Sequence, residues 1–139
     1  MNTLTVREAI AQTGIEVLEH LDREVQIPLI VGPQAQGDVL VIPTPASSIA
    51  TTAVPRVGVA VVRGEVGGNT HTLLAESGPV FFDQNAASDT DLVLGTLTVP
   101  VGSVALLAHP EHAFSRVGAG NFTVSRQREQ ADVIRMVQD

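Results

Sequence analysis

Three of the four histidines in this chain fall into two segments that could together bind a metal ion or transfer a proton. A His-Pro-Glu-His segment at 109–112 closes one predicted strand, and His71 lies in another strand that could be its neighbour. Imidazole nitrogens bind transition metals such as zinc and iron, and a carboxylate can complete such a site. Our candidate metal-binding residues are therefore His71, His109 and His112, with Glu111 as a fourth ligand or a proton carrier.

Histidine is also common on polar turns, where it has no catalytic role. His71 is far in sequence from the His-Pro-Glu-His segment, which weakens the case for a shared site. The sequence therefore predicts no cofactor, with a transition metal such as zinc as the alternative. No complete set of catalytic residues can be assigned, so an enzyme is the less favoured class. His20 is expected to face solvent and has no assigned role.

Arg126 and Arg128 alternate at the end of the last predicted strand, which places both side chains on one face. Two guanidinium groups on one face can clamp a carboxylate. They can equally form ion pairs on a solvated edge, which contribute only about 0–1 kcal/mol each. We predict partner contacts for both arginines and for three prolines of an upstream stretch: Pro43, Pro45 and Pro55.

The composition disfavours several classes of partner. The formal net charge is −7 and all eight basic residues are arginine, so a phosphate backbone would be repelled. Aromatic residues make up 3% of the chain, too few for the stacking surfaces that bind single-stranded nucleic acids. Cysteine is absent, and the longest uncharged run, 92–110, is interrupted by the turn residues Pro100 and Gly102. We expect a soluble protein that binds neither nucleic acid nor membrane.

The elements that must position these residues are mainly strands. Branched aliphatic residues dominate the 44% hydrophobic content, and such residues suit a pleated sheet. Short strands separated by turn residues are typical of a sandwich, a jelly roll or a small barrel. The predicted fold class is all-β and mainly antiparallel, with a helical segment over 1–24, one β domain over 25–128 and a C-terminal arm over 129–139. Strands are predicted over 25–31, 39–42, 57–63, 70–75, 80–83, 92–99, 103–109 and 121–127.

Two stretches near the front of the chain carry further signals. Thr5 and Glu8 have the spacing of a capping box, which predicts that a helix begins at Val6 and is interrupted at Gly14. The stretch 43–55 combines prolines with small and hydroxyl residues, so we expect an extended loop that lies over a neighbouring molecule.

Three segments resemble those of a group of small, poorly characterised β proteins from bacteria and phages. That group shows Gly-His-x-His, His-x-Glu-His and Arg-Gln-Arg-Glu-Tyr motifs, and this chain has Gly68-Asn69-Thr70-His71, His109-Pro110-Glu111-His112 and Arg126-Gln127-Arg128-Glu129-Gln130. The resemblance covers residues 57–139 and implies a β fold and a phage origin. Asn69 and Gln130 replace the group's His and Tyr, which leaves either an open three-His site or a site that has lost its metal.

These observations lead to a ranked set of functional hypotheses. The first is a phage virion structural protein, specifically a capsid decoration or cement subunit assembled in the bacterial cytoplasm. Its partners would be the major capsid protein or other virion subunits, and it would form a homo-oligomer through its arms. The alternative is a metal-binding, cupin-like enzyme or sensor with a three-His site. A third is an adaptor whose Arg126 and Arg128 face binds an acidic partner.

Overall fold

The computed structural model describes residues 3–45, 49–62, 70–88 and 91–127. The predicted arm over 129–139, Arg128 and the two departures at Asn69 and Gln130 lie outside the described residues. Within those ranges, no helix is long and apolar enough to cross a membrane. The described elements are one helix and ten strands: α1 Val6–Thr13, β1 Leu29–Ile30, β2 Gln34–Gln36, β3 Val39–Pro43, β4 Val59–Ala60, β5 Thr72–Ser77, β6 Phe81–Gln84, β7 Val93–Val99, β8 Val104–His109, β9 Ala113–Val117 and β10 Gly120–Arg126.

Helix α1 begins and ends at the predicted residues. The Glu8 amide donates to the Thr5 hydroxyl at 3.2 Å, and the Thr5 amide donates to the Glu8 carboxylate at 2.8 Å. Gly14 ends the helix in the left-handed conformation, at φ 74°, and its amide donates to the Ile10 carbonyl. The capping box is therefore confirmed, as is the interruption at Gly14.

The strands form two open five-stranded sheets, in the orders β1-β9-β8-β5-β4 and β2-β3-β10-β7-β6. We call them the β8 sheet and the β10 sheet after their central strands. Every pair of neighbouring strands is antiparallel except β1 with β9. The all-β, mainly antiparallel prediction is confirmed, and the described part of the chain forms no closed barrel.

The main core lies between the two sheets. Alternate residues of each strand point inward, as in Val39 and Val41 of β3 or Phe122 and Val124 of β10. The core is aliphatic apart from two phenylalanines, as the composition predicts. Its buried members are Val39, Val41, Val61, Val62, Leu73, Val80, Phe82, Leu94, Leu97, Val99, Ala105, Leu107, Val117, Phe122 and Val124.

The N-terminal segment covers the outer face of the β8 sheet. Leu4, Val6, Ala9, Val17 and Ile27 are buried in one cluster with apolar residues of β5, β8 and β9. Beneath this cover, Arg116 of β9 and Glu76 of β5 form a buried ion pair. The N-terminal segment therefore packs its apolar residues within the chain.

Residues 49–54 of the proline-rich stretch pack on the β10 sheet, and residues 52–54 run antiparallel along the free edge of β6. The Ala50 amide donates to the Thr98 hydroxyl, and Ala50 is buried. Further on, the Phe82 amide donates to the Thr52 carbonyl, and the Val54 amide donates to the Val80 carbonyl. The expected loop over a neighbour is, for these residues, a cover on the protein's own sheet.

The predicted strand over 25–31 is wrong for most of its length. Only Leu29–Ile30 forms a strand, and Gln26 makes an isolated bridge with Thr5. Val25, Leu29 and Val31 are exposed while Ile27 is buried, so the alternating apolar residues do not form one core face. Pro28 lies in the middle of the run and has no amide proton to donate to a ladder.

Two strands were not expected from the sequence, and one is shorter than expected. β9 follows β8 after a short turn and carries the charged and buried Arg116, which is untypical of a buried strand. β2 consists of Gln34, Ala35 and Gln36, in a region predicted as a turn. The strand predicted over 57–63 is reduced to β4, and Arg63 lies outside the described residues.

Candidate functional site

A cluster of three histidines lies at one end of the sandwich, and we call it the histidine cluster: His71, His109 and His112. Thr72 pairs with Ala108, so His71 and His109 lie side by side where β5 begins and β8 ends. Their ring centroids are 4.3 Å apart, and His112 lies 4.7 Å from His109 and 6.3 Å from His71. The structure therefore brings together the three histidines that the sequence analysis selected.

His71 and His109 are buried, with 3% and 5% of their surface exposed, whereas His112 is exposed. Both buried rings continue the inward-facing rows of Leu73 on β5 and Leu107 on β8. Apolar side chains at these two positions would extend the core without the cost of burying polar nitrogens. Two imidazoles in their place mark this end of the core as a polar site with access to solvent through His112.

The turn between β8 and β9 sets the orientation of His109. The Glu111 amide donates to Nδ1 of His109 at 3.1 Å, and the turn is completed by Ala113, which has a φ of 61°. A ring nitrogen that accepts a hydrogen bond carries no proton, so the proton of the neutral His109 ring lies on Nε2. In this conformation His109 presents a donor at Nε2.

The turn between β2 and β3 closes the cluster from the opposite sheet. Gly37 has a φ of 59°, and a Cβ at this position would lie 2.7 Å from Nε2 of His112. The next residue, Asp38, places Oδ1 4.0 Å from Nε2 of His71. Glycine is thus required at position 37 both for its backbone conformation and for the space that the His112 ring occupies.

Two glutamine side chains hold this turn against the β8 sheet. Gln36 is buried and its Nε2 donates to the Leu107 carbonyl at 2.8 Å and to the Ser115 hydroxyl at 3.2 Å. Gln34 donates to the Arg116 carbonyl at 3.1 Å. The sequence analysis did not select these glutamines. Their spacing of two residues, just before the Gly37-Asp38 turn, is typical of side chains on one face of a polar edge strand, and this signal could have found them.

Arg126 approaches the same turn from β10. It pairs with Val39, the residue after Asp38, and the next residue, Gln127, donates from its amide to the Asp38 carbonyl and from its side chain to the Gly37 carbonyl. Val39 is an inward-facing core residue, so its ladder partner Arg126 starts on the same inner face. Arg126 therefore belongs to the end of the sandwich that holds the histidine cluster.

The other predicted site residues lie further from the cluster or outside the described residues. Glu111 is exposed and contacts His109 through its backbone amide. Among the described residues, the Asp38 carboxylate approaches a cluster nitrogen, Nε2 of His71, at 4.0 Å. Pro43 ends β3 and is exposed, as are Pro45 and Pro55, and the predicted pairing of Arg126 with Arg128 falls outside the described part of the chain.

The histidine cluster is not an assembled metal site in this conformation. Within the described ranges, no group of three or more His, Asp or Glu side chains already has the arrangement that holds a metal ion. The hydrogen bond between the Glu111 amide and His109 is one local reason, because it uses a lone pair that a metal would need.

The fold and the site together define a two-sheet β sandwich with a histidine cluster between the strand ends of both sheets. The chain belongs to the family described as Domain of unknown function (DUF8820), whose model matches residues 35–127. The matched range starts in β2 and ends just after β10, so it contains the whole cluster and Arg126. No curated protein and no solved structure matches the chain.

Proposed function

We propose that this protein binds a transition metal ion at the histidine cluster. His71, His109 and His112 would supply imidazole nitrogens, and Asp38 rather than Glu111 would supply the carboxylate. The observation that carries the proposal is the convergence of three rings, with centroids 4.3–6.3 Å apart, from two segments that are distant in sequence.

The size of the cluster supports a metal of the zinc type. A metal–nitrogen bond of about 2.0–2.1 Å in a tetrahedral site places the centres of neighbouring imidazole rings about 5 Å apart. The three measured distances lie around this value, two shorter and one longer. The spacing of the three rings is therefore close to that of a metal-bound set.

Metal binding by His109 would break the hydrogen bond that its Nδ1 accepts from the Glu111 amide. Coordination through Nδ1 would displace the Glu111 amide directly, and coordination through Nε2 would require the ring proton to move to Nδ1, where that amide now donates. In either case the Glu111 amide loses its acceptor. We expect faster hydrogen exchange of this amide when metal is added.

The test is equilibrium dialysis with Zn²⁺ and Co²⁺, followed by metal analysis of the full chain. Wild type should bind one ion per chain, and His71→Ala and His109→Ala should each lose more than the about 10–100-fold that removal of an outer-shell partner costs. His20→Ala, a change at the exposed histidine that is not part of the cluster, is the matched control. Asp38→Asn should weaken binding more than Glu111→Gln does. Wild type that binds neither ion would refute the proposal.

The role in a phage virion, which leads the expectations from the sequence, remains a prediction. Two of its motivations are weaker in the fold, because the N-terminal segment and residues 49–54 both pack on the protein's own sheets. Mass spectrometry of purified virions is the direct test. Stoichiometric peptides of this chain would support a decoration or cement subunit, and their absence would reject it.

A further inference from the structure

We infer that the proposed metal is one half of a two-part site, and that Arg126 is the other half, which binds a small carboxylate. This inference rests on the proposed function and names the class of molecule that the metal would hold. One oxygen of the carboxylate would coordinate the metal, and the other would accept hydrogen bonds from the guanidinium of Arg126. The metal and the arginine would therefore bind the same ligand.

The position of Arg126 is the first argument. Its backbone pairs with Val39, directly after the turn whose Asp38 approaches His71 and whose Gly37 leaves room for the His112 ring, which a Cβ would meet at 2.7 Å. Facing sheets are about 10 Å apart, a distance that an arginine side chain can largely span. A guanidinium that starts on the inner face of β10 at this end is therefore directed into the space between the sheets beside the histidine cluster.

The bonding of Arg126 is the second argument. Its Nε is buried and has no hydrogen-bond partner within the described part of the chain. Leaving a buried donor of a charged group without an acceptor costs more than the loss of an ordinary hydrogen bond. The Nε atom therefore requires an acceptor that the described residues do not provide.

The other buried arginine shows what that acceptor would be. Arg116 donates from Nε and Nη2 to the two oxygens of Glu76, at 2.8 and 2.7 Å. A planar guanidinium and a planar carboxylate match each other through two parallel hydrogen bonds. A ligand carboxylate would give Arg126 the pairing that Glu76 gives Arg116.

The net charge of the protein further restricts the class of ligand that the site could bind. The net charge of −7 disfavours large polyanions, whereas a single carboxylate gains from the local pair of cations formed by the metal and Arg126. The planar fork of arginine also suits a small carboxylate better than it suits a bulky anion that could not enter between the sheets.

The experiment uses the full chain loaded with Co²⁺, whose visible absorption reports changes in coordination. Acetate, oxalate and inorganic phosphate are titrated in turn, and binding is followed by absorption and by calorimetry. Wild type should bind oxalate with a change in the Co²⁺ spectrum and should bind phosphate more weakly. Arg126→Gln should still take up one Co²⁺ per chain and should weaken oxalate binding by about tenfold or more.

Two further variants make the result specific. Arg126→Lys keeps the charge but loses the fork, so its oxalate affinity should fall between those of wild type and Arg126→Gln. Arg56→Gln changes an exposed arginine outside the site and should behave as wild type. Far-UV circular dichroism verifies that each variant is folded.

The outcomes separate the two proposals. Co²⁺ uptake without oxalate binding, equal oxalate affinity in wild type and Arg126→Gln, or tighter binding of phosphate than of oxalate would each overturn the carboxylate site alone. Failure of wild type to take up Co²⁺ would overturn the metal site and the two-part site together.

Discussion

Glu76 and Arg116 face each other across the outer surface of the β8 sheet as a buried ion pair with two parallel hydrogen bonds, at 2.8 and 2.7 Å. Arg116 also contacts the Ile27 carbonyl at 3.4 Å, which connects the pair to the N-terminal segment. The Gln12 side chain donates to the Glu76 carbonyl from the same segment. The pair thus links β5 and β9 to the segment that covers them.

Removal of one member of this pair should strongly destabilise the fold. Arg116→Ala or Glu76→Ala leaves an uncompensated buried charge, and we expect a loss of about 3–5 kcal/mol in the free energy of unfolding. Urea unfolding followed by circular dichroism measures it, since the chain has no Trp or Tyr for fluorescence. The double change Glu76→Leu with Arg116→Met should recover most of the loss, and a double variant as unstable as either single one would contradict this account.

Gly37→Ala should damage the histidine cluster, because the new methyl group would meet the His112 ring at 2.7 Å. Gly14→Ala is the matched control: its φ is 74° and a Cβ there meets nothing within 4 Å. Both changes should cost about 1 kcal/mol from the left-handed backbone. Only Gly37→Ala should also lower the metal affinity, which dialysis measures. Equal metal affinity in the two variants would show that the turn does not position His112.

The Asp83 carboxylate should stabilise the packing of residues 49–54 on the β10 sheet, and this stabilisation should depend on pH. Hydrogen bonds from Thr52, together with those from the Thr51 amide, hold the pKa of Asp83 below its usual value of 3.8. A group whose pKa is lower in the folded state stabilises the fold above the unfolded pKa, and this stabilisation is lost as the pH falls through the folded pKa.

Stability of the wild type should therefore fall more steeply below about pH 3.8 than that of Asp83→Asn. At neutral pH the variant should lose about 1 kcal/mol, the usual contribution of such hydrogen bonds. Parallel pH-dependent unfolding curves for the two proteins would rule out a contribution of Asp83 to acid sensitivity.

Thr5→Ala should weaken the start of α1. The Thr5 hydroxyl accepts from the Glu8 amide, and loss of an N-cap side chain costs about 1 kcal/mol. Thr5→Ser keeps the hydroxyl and should retain most of the stability. Since α1 is part of the cover on the β8 sheet, proteolysis near the N-terminus should be faster in Thr5→Ala, and equal rates in both variants would argue against the cap.

The long strands with regular alternation could be predicted from the sequence, because their burial follows a period of two. β3, β7 and β10 lie within a residue or two of their predicted bounds, and so does β8, which is instead an apolar run buried on both faces. β9 could not be predicted in this way. The burial of Arg116 depends on its ion pair with Glu76, which lies 40 residues away in sequence. The strand predicted over 25–31 was wrong, because some of its alternating apolar residues are exposed and one, Ile27, is buried.

For the candidate site, the sequence identified the histidines but not their setting. Motif spacing selected His71, His109 and His112, and their residue types alone suggested metal chemistry. Asp38 and Gly37 reach the cluster because β2 and β3 fold across from the other sheet, a contact between residues more than 30 positions apart in the chain that local patterns do not encode. The inward direction of Arg126 likewise depends on its register with Val39.

The edge strands of both sheets are short, and this limits how copies of the protein can associate. β1 and β4 have two residues each, β2 has three and β6 has four, whereas the strands inside the two sheets have five to seven. Such edges offer few unpaired amides to the strand of another molecule, which protects a β protein from aggregation and strand exchange. Contacts between copies through the described residues would therefore be made by side chains at the faces or ends of the sandwich, and concentrated solutions should remain free of fibrils.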